Sequence, residues 1–268
     1  MKVLMWLIMM LPWASSSILT CNCGWRNMRR IFGGKETRKN EYPWMVFISV
    51  GCGGSIITQY HILTAAHCTD ERSPTSLKVF VGMHYRKSKK NKRTHSVSKI
   101  YLHQDFSRSK YINDISILLL SNPISFNHKV GPVCLPHTQR NLEGQFIKVA
   151  GWGFTRSTGD GNVLREVDIQ IIGKKKCQEG WPIVTIVPTQ ICAFTAAKDT
   201  CNGDSGGPLV YEDPDTRRFT QVALVSFGPQ KCGVDSKPSV NTEIYAYLDW
   251  IRNVVTRSYP GSKVCTKA

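Results

Sequence analysis

The sequence is short of acid. Its 268 residues hold 19 Asp and Glu against 35 Lys and Arg, a net charge of +16. Such a surface attracts polyanions, whether heparin-like sugars, anionic membranes or nucleic acid, or it serves only solubility. Charge alone names no partner, and no specific nucleic acid is indicated. No Asn-x-Ser/Thr sequon occurs, so N-glycosylation is not expected. No Ser/Gln or Pro/Gly tract suggests disorder, and no internal repeat has a clear period. Long apolar runs are missing too. The longest, Val3 to Leu11, spans nine residues, less than half of the roughly 20 that a membrane helix needs. With Lys2 before it and Ala14-Ser15-Ser16-Ser17 behind it, this run has the three parts of a cleaved secretory signal. We expect a signal peptide at 1–17 and a soluble, secreted product. A membrane anchor is the alternative, and the length of the run is against it.

What is present fits secretion. Ten cysteines, an even number, favour a disulfide framework in an oxidising compartment. Cys21-Asn22-Cys23 is the one close pair, and Cys-x-Cys without a second pair and nearby histidines is a poor zinc signature. Met45–Val50, Leu77–Tyr85, Ser96–His103, Asp114–Leu120, Arg165–Ile172 and Phe219–Phe227 are rich in β-branched and aromatic residues, with turn residues between many of them. That pattern predicts an all-β barrel or sandwich. Ile244, Leu248, Ile251 and Val255 recur at helical spacing ahead of Pro260-Gly261, which predicts one helix after the strands. Gly131-Pro132 and Pro136 mark a linker between two halves.

Three stretches carry chemistry: Leu63-Thr64-Ala65-Ala66-His67-Cys68, Asn113-Asp114-Ile115-Ser116-Ile117-Leu118-Leu119 and Gly203-Asp204-Ser205-Gly206-Gly207-Pro208-Leu209. A serine hydroxyl is a weak nucleophile at neutral pH and needs a base within reach. An imidazole serving as that base needs a buried carboxylate to fix its tautomer and stabilise its cation. Any one stretch alone carries little weight, since a single His on an apolar strand is more often a core or surface residue. Together, in the order His, Asp, Ser, they resemble the chymotrypsin/trypsin-like (S1) serine peptidases. The resemblance covers residues 31 to about 256 and implies two six-stranded antiparallel β-barrels with a C-terminal helix, about 31–135 and 136–268, and the site between them.

The family's roles fall on His67, Asp114 and Ser205 as the catalytic residues and on the N–H groups of Gly203 and Ser205 as the oxyanion hole. Ser226 matches the serine that hydrogen-bonds the aspartate. Phe227 replaces the commoner tryptophan and keeps an aromatic wall for substrate. Asp199, six residues before Ser205, matches the carboxylate at the floor of the primary pocket, with Thr200 beside it and Gly228 at its mouth. That implies cleavage after Arg, then Lys. Ser239 stands where trypsins have Gly and crowds the back wall, and Lys231 brings positive charge towards the rim.

Arg29-Arg30-Ile31-Phe32-Gly33-Gly34 resembles the activation site. A trypsin-like protease would cut after Arg30, leaving an activation peptide at 18–30 that a disulfide to Cys134 retains, and the new amino group of Ile31 would pair with Asp204. Family pattern implies the disulfides Cys52–Cys68, Cys177–Cys192 and Cys201–Cys232. It also implies a bond from Cys134 to Cys21 or Cys23. The other of that pair goes to Cys265 on the even count alone. One further family bridge is missing at both ends, Ile147 and Tyr211. Cys-x-Cys-Gly ahead of the activation site is similar to that of secreted arthropod proteases, venom and salivary ones included.

The basic run Arg86–Arg93 lies where trypsins often bind calcium but has no carboxylates, so no calcium is expected. It is either a solvated loop or an exosite for polyanions. No cofactor or metal is implied, and a monomer is expected. A binding protein of the same fold is the alternative, but such homologues normally lack a triad member, and all three are present.

Overall fold

The computed structural model describes residues 21–27, 36–88, 93–153, 161–196, 204–229 and 237–267. Six strands close the first barrel: β1 (Met45–Ile48), β2 (Cys52–Ile56), β3 (His61–Thr64), β4 (Lys78–Val81), β5 (Arg93–Leu102) and β6 (Ser116–Leu120). They run around it in the order β1-β2-β3-β6-β5-β4. After β7 (Leu135–Pro136), a second set makes the other barrel: β8 (Phe146–Gly151), β9 (Arg165–Ile172), β10 (Gln190–Phe194), β11 (Pro208–Glu212), β12 (Phe219–Phe227) and β13 (Ser239–Glu243). Its order is β10-β13-β12-β11-β8-β9, and every pairing within the two barrels is antiparallel. Closure leaves neither set an open edge.

The helix α1 (Lys174–Gly180) bridges β9 and β10, and α2 (Leu248–Ser258) follows β13. The four apolar residues that predict α2 are all buried: Ile244, Leu248, Ile251 and Val255. They join a cluster containing Trp44, Phe47, Trp152 and Phe219, so the helix is packed into the core that links the barrels. It is not the last element. Beyond it β14 (Thr266–Lys267) pairs in parallel with β7, which makes the tail part of the seam between the halves and corrects the expectation that all strands precede the helix. Among the described residues no helix is long and apolar enough to cross a membrane.

His61 joins β3 to α2. It is fully buried, with Nδ1 at 2.6 Å from Thr58 Oγ1 and Nε2 at 2.8 Å from Ser258 Oγ. Ser258 donates its own proton to the carbonyl of Val254. It must therefore accept from His61, which fixes the Nε2–H tautomer. Burial pulls the imidazole down from 6.5 to about 4.

The lead-in at 21–27 lies across both halves. Cys23 is bonded to Cys134 and Cys21 to Cys265, while Cys52–Cys68 and Cys177–Cys192 brace one barrel each. Trp25 packs against Gly131, where any Cβ would come within 1.8 Å of the indole. Arg26 pairs with buried Glu41 at 2.5 Å and reaches Glu166 on β9 at 3.6 Å. Cys201 and Cys232 lie outside the described residues. Ile147 and Tyr211, at the missing bridge, both join the apolar interior of the second barrel.

Candidate active site

Asp114 is fully buried where the barrels meet. Its Oδ1 accepts the backbone N–H of His67 at 2.8 Å, and its Oδ2 accepts from His67 Nδ1 at 2.7 Å. Ser226 Oγ donates to the same Oδ2 at 2.6 Å. Thr242 Oγ1 donates to the Asp114 carbonyl at 3.0 Å. A buried carboxylate is tolerated only when its lone pairs are satisfied, and here both barrels supply donors. His67 comes from the first and Ser226, on β12, from the second; Thr242, on β13, holds the backbone carbonyl of the same residue. With Nδ1–H donated to the aspartate, the Nε2 lone pair of His67 is left to act as a base.

Local structure explains each placement. His67 sits in a 3-10 turn, Ala66–Cys68, directly after β3, and Cys52–Cys68 ties that turn to β2. The stretch before Asp114 has two left-handed residues, Tyr111 at φ 50° and Asn113 at φ 54°. Such a backbone needs outside support. Gln190 Nε2 donates to the Tyr111 carbonyl at 3.0 Å, and the Tyr247 hydroxyl donates to Asn113 Oδ1 at 2.8 Å.

Ser205 lies in the turn that leads into β11. Gly206 has φ +74°, and a Cβ there would come within 2.2 Å of Thr64 Oγ1 and 2.8 Å of the Gly53 carbonyl. Only glycine lets the turn approach β2 and β3 this closely. Gly53 N–H donates to the Ser205 carbonyl at 2.8 Å, and Gly206 N–H to that of Val225, also at 2.8 Å. The serine turn is thus laced to the His67 side of the cleft and to the residue before Ser226. The two links at Asp114 are formed. A hydrogen bond between Ser205 and His67 is not among those seen, and in substrate-free sites that link commonly tightens only on binding.

Asp204 Oδ1 accepts the Gly153 N–H at 2.8 Å. Its carboxylate fills the space where a Cβ on Gly151 or Gly153 would sit. Gly228 and Ser239 face each other, the Ser239 Cβ 3.7 Å from the position of a Gly228 Cβ. Ser239 Oγ donates to the Ala193 carbonyl at 3.1 Å and accepts from Asn241 Nδ2 at 3.2 Å. Arg30, Ile31, Asp199, Thr200, Gly203 and Lys231 lie outside the described residues.

Sequence reasoning passed over three residues of the site. Tyr111 packs edge-on against the His67 ring, Trp181 closes on Phe227, and Thr242 supports Asp114. Tyr111 stands three residues before Asp114, a signal that was available; Trp181 and Thr242 carry none. Among the described residues the one potential metal cluster is Cys52, His67 and Cys68, and the disulfide consumes both of its sulfurs.

The family model described as Trypsin matches residues 31–251. The chain belongs to the trypsin family. The similarity extends to named relatives. "Venom serine protease 34" of Apis mellifera is 35% identical over 247 residues, covering 86% of this chain but only 60% of that protein's own length. "Venom serine protease" of Polistes dominula is 33% identical over 266 residues, covering 94% and 95%. "Clotting factor G beta subunit" of Tachypleus tridentatus is 33% identical over 255 residues, covering 87% and 82%. As a trypsin-family chain with this arrangement at its barrel interface, the molecule is a serine endopeptidase.

Proposed function

We propose that the chain is a secreted, trypsin-like endopeptidase made as a zymogen, cutting after Arg and then Lys. The observation that carries this is the Asp114 carboxylate, buried and shared by His67 and Ser226 at the barrel interface. In the cycle we infer, Ser205 Oγ attacks the carbonyl carbon as His67 Nε2 takes its proton, and Asp114 steadies the imidazolium. The N–H groups of Gly203 and Ser205 receive the oxyanion. The amine leaves with the proton from His67, and water then splits the acyl-enzyme by the same steps in reverse.

Asp199 gives the primary pocket its charge. A buried carboxylate that only a cationic side chain satisfies discriminates strongly against neutral residues. The Ser239 hydroxymethyl beside Gly228 narrows the back of the pocket. Arg, whose planar fork reaches a carboxylate directly, is then favoured over Lys, which relies more on bridging water.

Activation rests on Asp204. Cleavage after Arg30 would bring the Ile31 ammonium to a carboxylate lodged against Gly151 and Gly153. Breaking such a pair is heavily penalised, so it can hold one loop conformation over another. Relatives whose names speak of venom and clotting fit an extracellular enzyme switched on by another protease. Sulfated polyanions are the partners we assign to the basic run from Arg86 to Arg93.

The test is to cut the purified proenzyme after Arg30 and assay short peptides varied at the residue before the scissile bond. We expect turnover only after the cut, Arg above Lys, and almost none with Phe or Leu. An uncut Arg30→Gln protein matching the activated enzyme would refute the zymogen reading. Preference for apolar residues, with Asp199→Ser harmless, would refute the pocket.

A further inference from the structure

A closed barrel has two mouths. At one mouth of the second barrel the serine turn enters β11, and Ser226 and Gly228 stand where β12 ends. At the other, β9 and β13 end, at Ile172 and Glu243, and β10 begins, at Gln190. These three residues line a cavity of about 460 Å³, bordered by the segment 138–143. That volume falls within the roughly 300–1,000 Å³ of small-molecule sites, and barrel mouths are a common place for them. Leu142, Ile171, Ile191 and Val222 give the cavity apolar wall, and Tyr211 and Tyr245 give it aromatic wall. Tyr211 stands at one end of the family bridge that this chain lacks, so no disulfide crosses the wall there.

Most of the polar groups in this lining are already engaged. Gln190 is buried, with Nε2 donating to the Tyr111 carbonyl at 3.0 Å and Oε1 accepting the Val187 N–H at 3.1 Å. Asp213 Oδ1 accepts from the Asp215 and Thr216 N–H groups and the Thr216 hydroxyl, and its Oδ2 lies 3.4 Å from Arg140. Lys174 Nζ donates to the Pro188 carbonyl at 3.1 Å. Glu243 is different. Burial raises its carboxyl above the ordinary carboxylate value, and the Lys174 charge and a hydrogen bond from Gln139 offset this only in part. An ionised carboxylate has about four acceptor sites, so Glu243 keeps room for further donors.

We propose that this mouth of the second barrel binds a small organic ammonium, its cation on Glu243 and its aromatic or branched apolar body among Ile171, Ile191, Val222 and Tyr211. A partly desolvated carboxylate gains most from a cation that brings several N–H donors. Tyrosine faces favour the same charge. The aliphatic wall rewards an apolar body and gives nothing to a hydrated one. Exposed Glu143 lies against Gly173, its Oε1 2.3 Å from where a Cβ would sit, and adds a second negative charge to the lining. Arg140 and Lys174 are held by Asp213 and Pro188. Lys267, on β14, also lines the cavity and would draw an anion instead, so an anionic probe belongs in the test.

The test measures dissociation constants by NMR titration of the uncut proenzyme carrying Asp199→Ser, so that no carboxylate at the primary pocket competes. The probes are phenethylamine, 2-phenylethanol and phenylacetate, alike in body and different in charge. We expect the amine to bind about tenfold tighter than the alcohol and phenylacetate to bind weakest. Adding Glu243→Gln, close in shape, should bring the amine-to-alcohol ratio near one and leave alcohol binding unchanged, which a misfolded chain would not preserve. Glu243→Asp should regain part of the preference. No saturation by the amine up to roughly 10 mM overturns the proposal. So does a ratio near one with Glu243 in place, or a preference that survives Glu243→Gln. Tighter binding of phenylacetate than of the amine gives the cavity to anions through Lys267 and overturns it as well.

Discussion

At the scale of single residues the site depends on Asp114. Asp114→Asn keeps the shape but lets the imidazole take the wrong tautomer, because an amide that donates to Nδ1 leaves Nε2 protonated. We expect kcat to fall about 10⁴-fold, a size set by this family's type enzyme rather than by the present geometry. Steady-state kinetics with an unchanged melting curve is the readout. Gly206→Ala should fail differently. At φ +74° its Cβ would sit 2.2 Å from Thr64 Oγ1, so the serine turn must move away from the histidine turn. Loss of both activity and thermal stability is expected there, and full activity would show that the turn yields. Short contiguous signatures single out His67, Asp114 and Ser205 in the sequence, and the structure joins the first two directly. Tyr111, Trp181 and Thr242 were not legible, since each acts from a separate strand or loop and only the closed barrels bring them to the site.

Elements were legible in proportion to their apolar continuity. β5, β6, β9 and β12 show as β-branched and aromatic runs, and α2 shows by its four-residue apolar recurrence. β2 reads Cys-Gly-Gly-Ser-Ile, where two glycines erase the propensity signal, and β13 reads Ser-Val-Asn-Thr-Glu, where buried polar residues imitate a loop. Tertiary pairing overrides local preference in both. The joint between β3 and α2 carries a pH prediction. His61 titrates near 4 when folded, below its ordinary 6.5, because burial disfavours the cation. The unfolded chain therefore takes up a proton first. His61 contributes its full stabilisation above about pH 6.5, and this drains away as pH falls towards 4. The shift corresponds to roughly 3 kcal/mol. Melting temperatures across that range should drop less steeply in His61→Gln than in the wild type. Equal slopes would mean that other groups govern the acid limb.

At the scale of the whole molecule the lead-in, the linker and the tail meet in one place. Cys134 precedes β7, Cys265 precedes β14, and the two strands pair beside the bridges to Cys23 and Cys21. Cysteine count and family pattern left the partner of Cys134 open between Cys21 and Cys23. The structure joins it to Cys23, because the Gly24 N–H donates to Pro132 at 2.9 Å and the Phe219 N–H to Gly24 at 2.8 Å, which seats that turn over Cys134. Replacing Cys21 and Cys265 together by Ser should cost about 2–4 kcal/mol and lower the melting temperature by several degrees. Cleavage of short peptides should persist, since the bond ties the lead-in to the tail beside the β7–β14 pair and touches none of the residues that hold Asp114. Collapse of activity in that variant would place the seam within the catalytic machinery. The Cys21–Cys265 bond also closes nearly the entire chain into a covalent ring. An endopeptidase with the basic preference proposed above, carrying 35 Lys and Arg, would be exposed to its own kind. In the uncut proenzyme, one nick inside residues 21–265 opens the circle but releases no piece, and the proposed activation cut after Arg30 is itself such a nick. A preparation that runs as a single band unreduced and as two after reduction would still hold every strand of both barrels in one molecule.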